Sequence, residues 1–247
     1  MVKNYNAFMR ELNKHLNDSK VVVFLDFEGT QYTQEIIAIG AIKAVLDNKN
    51  QIKKTYPGFK FYVKATGSVG KIVNKLTGIT DEKLQNEGLD FKKAMKLFEK
   101  YIGHHHDIKF ITYGNFDMRL LHQSAVQAKI NEEEFIKNIY KNYIDFSTIL
   151  SHYVRSPQGT QLSLADALSI FQITPEGAAH DPLFDAKNLM FLYKALIKNK
   201  GILEAEYEKV LLNNHVYPAP ITKIIKDLEK NGTATLSDLK KYIEEDL

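Results

Sequence analysis

The spacing of apolar and polar residues changes character several times along the chain. Phe8, Leu12 and Leu16 recur four apart, so residues 4–18 predict an amphipathic helix. Val21-Val22-Val23-Phe24-Leu25 is instead a continuous β-branched and apolar run. It is short enough for a strand and apolar enough to be covered on both faces. The run ends abruptly in acid, at Asp26-Phe27-Glu28-Gly29-Thr30. Residues 35–46 and 52–64 are two further strand candidates, separated by the turn-like Asp47-Asn48-Lys49-Asn50. With the first they predict an antiparallel meander.

The period changes near residue 70. Lys71–Leu76 and Asp90–Ile102 read as helices, the second with Phe91, Met95, Phe98 and Ile102 on one stripe. His104-His105-His106 then leads into a fourth strand, Ile108–Tyr113. A helix is expected over 116–129, a fifth strand at Tyr143–Phe146, and helices at Ser163–Phe171 and Asp181–Lys198, with Ser163 a cap of the former. Three strands followed by alternating helices and strands predict an α/β fold around one mixed five-stranded sheet. Beyond Lys200 the strand signals stop. Residues 202–212, 221–230 and 236–245 read as short helices, so the expected organisation is a main domain over 1–200 and a small helical C-terminal appendage over 201–247. Ile221, Ile224, Ile225 and Leu228 form one apolar stripe there, and Leu236, Leu239, Tyr242 and Ile243 another. Two such stripes must be buried on each other, on the main domain or on a protein partner.

Composition narrows the chemistry. There is no Cys among 247 residues, which excludes disulfides, thiolate metal sites and a thiol nucleophile. Ile36 to Leu46, the longest apolar stretch, is interrupted by Gly40 and Lys43 and falls short of the about 20 residues a bilayer span needs. Met1 to Lys20 is polar and unlike a secretory signal, so a cytoplasmic protein without membrane association is expected. Net charge is +3, which permits nucleic-acid binding without demanding it. Of 33 basic residues only Arg10, Arg119 and Arg155 are Arg. Bidentate Arg readout of duplex bases is therefore scarce.

Four carboxylates stand out by position. Asp26 and Glu28 are two apart at a strand end, so both emerge on one face. They repel each other unless a cation lies between them. Asp117 follows the strand Ile108–Tyr113, near the next helix start, and Asp185 lies on the helix 181–198. His180 precedes Asp185 by five residues, just after the small-residue loop Gly177-Ala178-Ala179. Taken singly, each acid reads more readily as a cap, a loop group or a dipole partner, and the histidine as structural. His104-His105-His106 reads as a loop rather than a metal site. Phe27 and Phe116 read as core or pocket wall. The Gly-rich nucleotide loops, the Ser elbow motif and the His-Glu-x-x-His zinc motif are absent.

Order makes the acids specific. Phe24-Leu25-Asp26-Phe27-Glu28-Gly29-Thr30, Tyr113-Gly114-Asn115-Phe116-Asp117-Met118-Arg119 and His180-Asp181-Pro182-Leu183-Phe184-Asp185-Ala186 resemble, in sequence order, the three motifs of the DEDDh 3′→5′ exonucleases of the DnaQ-like, RNase T superfamily. Leu76-Thr77-Gly78-Ile79-Thr80 resembles the Gly-Ile element between the first two. The resemblance covers roughly 20–198. Its closest branch is the RNA-degrading one, with the histone-mRNA and small-RNA exonucleases and sporulation-inhibitor-like bacterial relatives. Polymerase proofreading subunits usually have Thr where this chain has Phe27.

The resemblance implies a ribonuclease-H-like fold and a 3′→5′ exonuclease of single-stranded RNA or DNA ends, RNA slightly favoured, with two divalent cations, Mg²⁺ or Mn²⁺. It implies that Asp26, Glu28 and Asp185 hold one metal, that Asp26 also touches the second, that Asp117 holds its waters, and that His180 is the general base. Gly29 and Thr30 would meet the terminal 3′-hydroxyl, and Leu76, Thr77 and Asn115 would contact substrate. The alternatives are a DNA-trimming or proofreading-type exonuclease and a catalytically idle nucleic-acid-binding module.

Overall fold

A computed structural model describes residues 7–103, 107–212 and 217–246. His104-His105-His106 lies outside the described residues, as do residues 4–6 of the first expected helix. The chain opens with α1 (Ala7–Leu16), whose Phe8, Leu12 and Leu16 are buried as their spacing requires. It continues through β1 (Val21–Gly29) and β2 (Ile36–Leu46), paired antiparallel.

The third expected strand is two strands, β3 (Ile52–Thr55) and β4 (Phe59–Tyr62), both paired with β2. Pro57 and Gly58 lie between them. Pro57 has no N–H to give a ladder, and its carbonyl accepts the Tyr101 hydroxyl at 2.8 Å. Then come α2 (Lys71–Thr77), α3 (Asp81–Glu87) and α4 (Phe91–Ile102). β5 (Ile108–Thr112) pairs parallel with β1 and leads to α5 (Phe116–Gln127), and α6 (Glu134–Lys141) precedes β6 (Tyr143–Asp145), which pairs parallel with β5. The mixed sheet has six strands, in the order β3-β2-β1-β5-β6 with β4 beside β2, rather than the five expected.

The last expected strand is cut short because the Asp145 carboxylate accepts the Thr148 N–H and starts α7 (Phe146–Ser151). α8 (Leu164–Ile170) is capped by Ser163 as expected. α9 (Pro182–Lys198) runs along the sheet, and α10 (Lys200–Leu212), α11 (Ala219–Asn231) and α12 (Leu236–Asp246) follow. The short helices α3, α6 and α7 were not legible in the apolar pattern.

Alternation along β1 divides the interior. Val22 and Phe24 face a core shared with α1, α7, α8, α9 and α10, where the Phe24 ring lies 5.4 Å from that of Tyr193. Val23, Leu25 and Phe27 face the opposite core, built with α4, α5 and α6. Strict alternation therefore assigns Asp26 and Glu28 to the α9 side and leaves Phe27 on the other.

The C-terminal helices differ in kind. α10 buries Leu203 and Val210 and sets the Tyr207 ring against that of Tyr153, tilted, with centroids 5.1 Å apart. α11 and α12 pack on each other through Tyr242 Oη donating to Asp227 and a Lys223–Glu245 pair, yet leave Leu236 73% exposed. Truncation after Lys200 is expected to lower the melting temperature by on the order of 10 °C, since two buried aliphatic side chains at about 1.5–3 kcal/mol each are lost. Truncation after Leu212 should lower it far less. Thermal denaturation of both proteins is the check, and equal melting temperatures would show that α10 contributes nothing.

Candidate active site

The carboxyl ends of β1 and β5 and the start of α9 meet at one point. Asp26 lies opposite Gly40 of β2 in the strand register. A Cβ at Gly40 would come within 2.0 Å of the Pro182 carbonyl carbon and 2.2 Å of the Leu183 nitrogen. These are backbone atoms that cannot swing aside, so only glycine lets the first turn of α9 lie against the sheet. A second close approach, Gly58 under the Leu183 side chain, seats the same turn.

The segment before α9 is bent to suit. His180 has φ of 62°, in the left-handed region, which His tolerates better than most side chains. Its N–H donates to Asp185 Oδ2 at 2.9 Å. Asp181 caps the helix by accepting the Leu183 N–H at 3.1 Å, and its other oxygen pairs with Lys60 of β4. Asp181 is thus spent on structure, while the neighbouring His180 side chain stays about half exposed. The His180 Nδ1 lies 3.8 Å from Glu28 Oε1. Ligand atoms from Glu28, His180 and Asp185 all fall within 4.8 Å of one another.

Asp117 arrives from the other side. It is buried in the first turn of α5, and its Oδ1 accepts the Phe27 N–H at 2.8 Å. Ile36 N–H donates to Ser124 of the same helix at 2.7 Å, tying α5 to both strands. Gly29 is again a close approach, since a Cβ there would meet the Leu120 side chain at 2.4 Å.

The electrostatics follow from this crowding. Burial, and then the charges of Asp117, Glu28 and Asp185, hold Asp26 well above the usual carboxylate range. Glu28 is pushed up to about 8 by burial and by Asp185 and Asp117. Asp117 is raised to about 7 by burial, against the opposing hydrogen bond from Phe27. Asp185 is raised by burial too, with the His180 N–H and ring acting against it. Every neighbour that shifts Asp26 and Glu28 is another acid. Hard oxygen donors facing one another without a compensating Lys or Arg fit a site for divalent cations.

The residues expected to meet substrate differ in how free their side chains are. Thr30 is buried, its N–H bonded to the Glu35 carbonyl at 2.8 Å and its hydroxyl to Thr33 at 2.7 Å. The Thr77 hydroxyl is used within its own turn, donating to the Val73 carbonyl and accepting the Ile79 N–H. Leu76 is 50% exposed, and α2 is moored to the β1–β2 loop by the Ile72 N–H donating to Gln31 Oε1 at 3.0 Å. Asn115, at the start of α5, makes no side-chain capping bond. Phe27 is core, as expected, but Phe116 is 49% exposed and Tyr32 75%. Phe116 stands out because Asp117, not Phe116, turns inward at the first turn of α5. Tyr32, Ile72, Leu76 and Phe116 are large apolar side chains left exposed, which sequence reading missed. Gly40 was missed as well, although a glycine inside an apolar strand run signals a close backbone approach.

Two outcomes follow. Gly40→Ala should fold with a lowered melting temperature and lose about 10²-fold in turnover, because α9 must move and carry Asp185 and His180 with it. Unaltered turnover would mean that the α9 start tolerates displacement. The second outcome concerns metal-free protein. Carboxyl groups raised in the folded state bind protons that the unfolded chain releases, so their stabilising protonation is complete at low pH and is lost as pH rises through the folded values. The melting temperature should therefore fall from pH 4.5 to about 8, the span of the Glu28 shift. Mg²⁺ or Mn²⁺ should raise it most at the upper end. Calorimetry in EDTA across that range is the check, and a flat profile would contradict the crowding.

A family model described as Exonuclease, RNase_T, matches residues 23–193. Among solved structures the chain is similar to the nuclease domain of 3′hExo, a DEDDh family member, bound to rAMP. That match has 20% identity over 73% of this chain and 92% of that one, with a TM-score of 0.59. Cell-death related nuclease 4 matches at 17% identity over 73% of this chain and 64% of that one, with a TM-score of 0.60. E. coli exonuclease I in complex with a dT13 oligonucleotide matches at 16% identity over 80% of this chain and 45% of that one, with a TM-score of 0.58. At such identities the likeness is one of fold, and the chain spans less than half the length of exonuclease I. No curated protein matches the chain. Among the described residues no helix is long and apolar enough to cross a membrane. The matched span takes in β1, β5 and the start of α9, the three places where the acids converge, and the chain belongs to the RNase T family of exonucleases.

Proposed function

We propose that the protein is a 3′→5′ exonuclease that releases nucleoside 5′-monophosphates from single-stranded ends, RNA slightly favoured over DNA. One observation carries this reading: Asp26, Glu28, Asp117 and Asp185 crowd together with His180 at the rim, and the neighbours that shift Asp26 and Glu28 are all acids. Similar structures are described with rAMP, with a histone mRNA stem-loop and with dT13, which supports a nucleic-acid strand as substrate. The Asp-Phe-Glu form of the first motif supports RNA.

Asp26, Glu28 and Asp185 would hold one divalent cation, Mg²⁺ or Mn²⁺, and Asp26 would touch a second, whose waters Asp117 would hold. When bound, the cations supply neutralisation of the scissile phosphate and polarisation of its oxygens. His180 takes a proton from the attacking water at an imidazole nitrogen. The water oxygen attacks phosphorus, the bond from phosphorus to the 3′-oxygen of the preceding nucleotide breaks, and that oxygen takes a proton from solvent water to become the new 3′-hydroxyl, while His180 releases its proton to solvent. The end of β1 at Gly29 and Thr30 meets the terminal 3′-hydroxyl, Leu76 and Thr77 lie against the last bases, and Asn115 contacts the strand. In this reading residues 1–200 form the catalytic domain and 201–247 a helical appendage, a candidate surface for a protein partner.

End-labelled single-stranded RNA and DNA, incubated with Mg²⁺, Mn²⁺ or EDTA, test the reaction. Stepwise loss from the 3′ end that EDTA abolishes is expected. Preference for DNA would instead indicate a trimming or proofreading-type enzyme, and binding without cleavage an idle module. Asp26→Ala or Asp185→Ala should reduce turnover by orders of magnitude. His180→Ala should cost about 10²–10⁴-fold while cation binding persists. Near-normal turnover in the aspartate variants would remove the cluster from the chemistry.

A further inference from the structure

An open cavity lies on the far flank of α5, away from the acid cluster. Gln34 from the β1–β2 loop and Asn115, Met118, Arg119, His122 and Gln123 from α5 line this cavity of about 420 Å³. The geometry points to a subsite for the stretch of substrate strand upstream of the terminal nucleotide, with Arg119 on a phosphodiester and the amides on a base edge. This rests on the exonuclease reading above and extends it.

The placement comes from helix geometry. Asp117 and Arg119 are two residues apart on α5, so they project to opposite sides, Asp117 into the acid cluster and Arg119 to solvent. The cavity is therefore about one helix width, about 10–12 Å, from the carboxylates. That is too far for the terminal nucleotide and within reach of the strand behind it. Half-exposed Phe116 stands at the corner between them, where a base could stack.

The lining chemistry selects a nucleic-acid strand. Arg119, Gln34, Asn115, His122 and Gln123 are all exposed, and among the described contacts none has an ion-pair or side-chain hydrogen-bond partner. Asn115 occupies a helix-cap position but keeps its amide free. A guanidinium forks onto phosphate oxygens, and carboxamides offer a donor and an acceptor side by side to a base. Arg119 is one of three Arg among 33 basic residues, so the cavity holds this chain's scarcer phosphate-binding group.

Arg119→Gln and His122→Ala test the subsite by fluorescence anisotropy in EDTA, so the readout does not depend on hydrolysis. The probes are a long single-stranded oligonucleotide and a dinucleotide competitor. Arg119→Gln should weaken the long strand by about tenfold and flatten its log–log salt dependence by about 0.7, the value for one phosphate contact on a single strand. His122→Ala should weaken it by a smaller factor. Dinucleotide affinity should change by less than about twofold in either variant, and melting temperatures should match the parent. Equal loss for dinucleotide and long strand, or no loss for either, would overturn the subsite. Absence of 3′-end cleavage in the parent protein would count against the exonuclease reading alone.

Discussion

Mutual repulsion among Asp26, Glu28, Asp117 and Asp185 is the constraint around which the rest of the structure is arranged. Carboxylates do not gather of their own accord in a half-buried place. Here they are held by elements whose positions are fixed elsewhere: β1 by its ladders to β2 and β5, α5 by the Ile36–Ser124 and Phe27–Asp117 bonds, and α9 by a long apolar face. The two cores supply the force, and the acids carry the cost as raised proton affinity. A divalent cation relieves that cost, so folding energy is stored as affinity for metal.

The start of α9 shows how finely that force is directed. A helix normally rests on a sheet through side chains, but here its first turn lies on the bare backbone of Gly40. The contact brings Asp185 to the acids and leaves His180 in a left-handed turn beside Glu28. Asp181 caps the same turn and is tethered by Lys60 from the neighbouring strand. The structural acid and the candidate catalytic residues thus alternate within one short segment, and each depends on the other's placement.

The exposed surface is divided by chemistry: Leu76, Ile72, Tyr32 and Phe116 are exposed apolar groups, while Arg119 and the amides line an open cavity on the far flank of α5. α11 and α12 stand apart from this arrangement, with Pro220 their buried side chain among the described residues.

Much of this was legible in the residue order. The apolar run of β1 ending in Asp26 and Glu28, the stripes of α1 and α4, and the ordered motifs around Asp117 and His180–Asp185 each depend on local periodicity or on short-range spacing, which a linear sequence carries in full. The division of residues 52–64 at Pro57-Gly58 and the helix begun by Asp145 were also written locally, but in turn chemistry rather than apolar period. Other features exist only across the fold. Gly40 matters because Pro182 arrives above it, Phe116 is exposed because Asp117 is drawn inward, and Arg119 gains a pocket because Gln34 reaches it from another loop. Composition and spacing determined which groups the protein possesses and how each element is patterned. Long-range packing alone decided which of those groups meet, because contacts between distant residues are set by the shape of the buried surfaces and not by their separation along the chain.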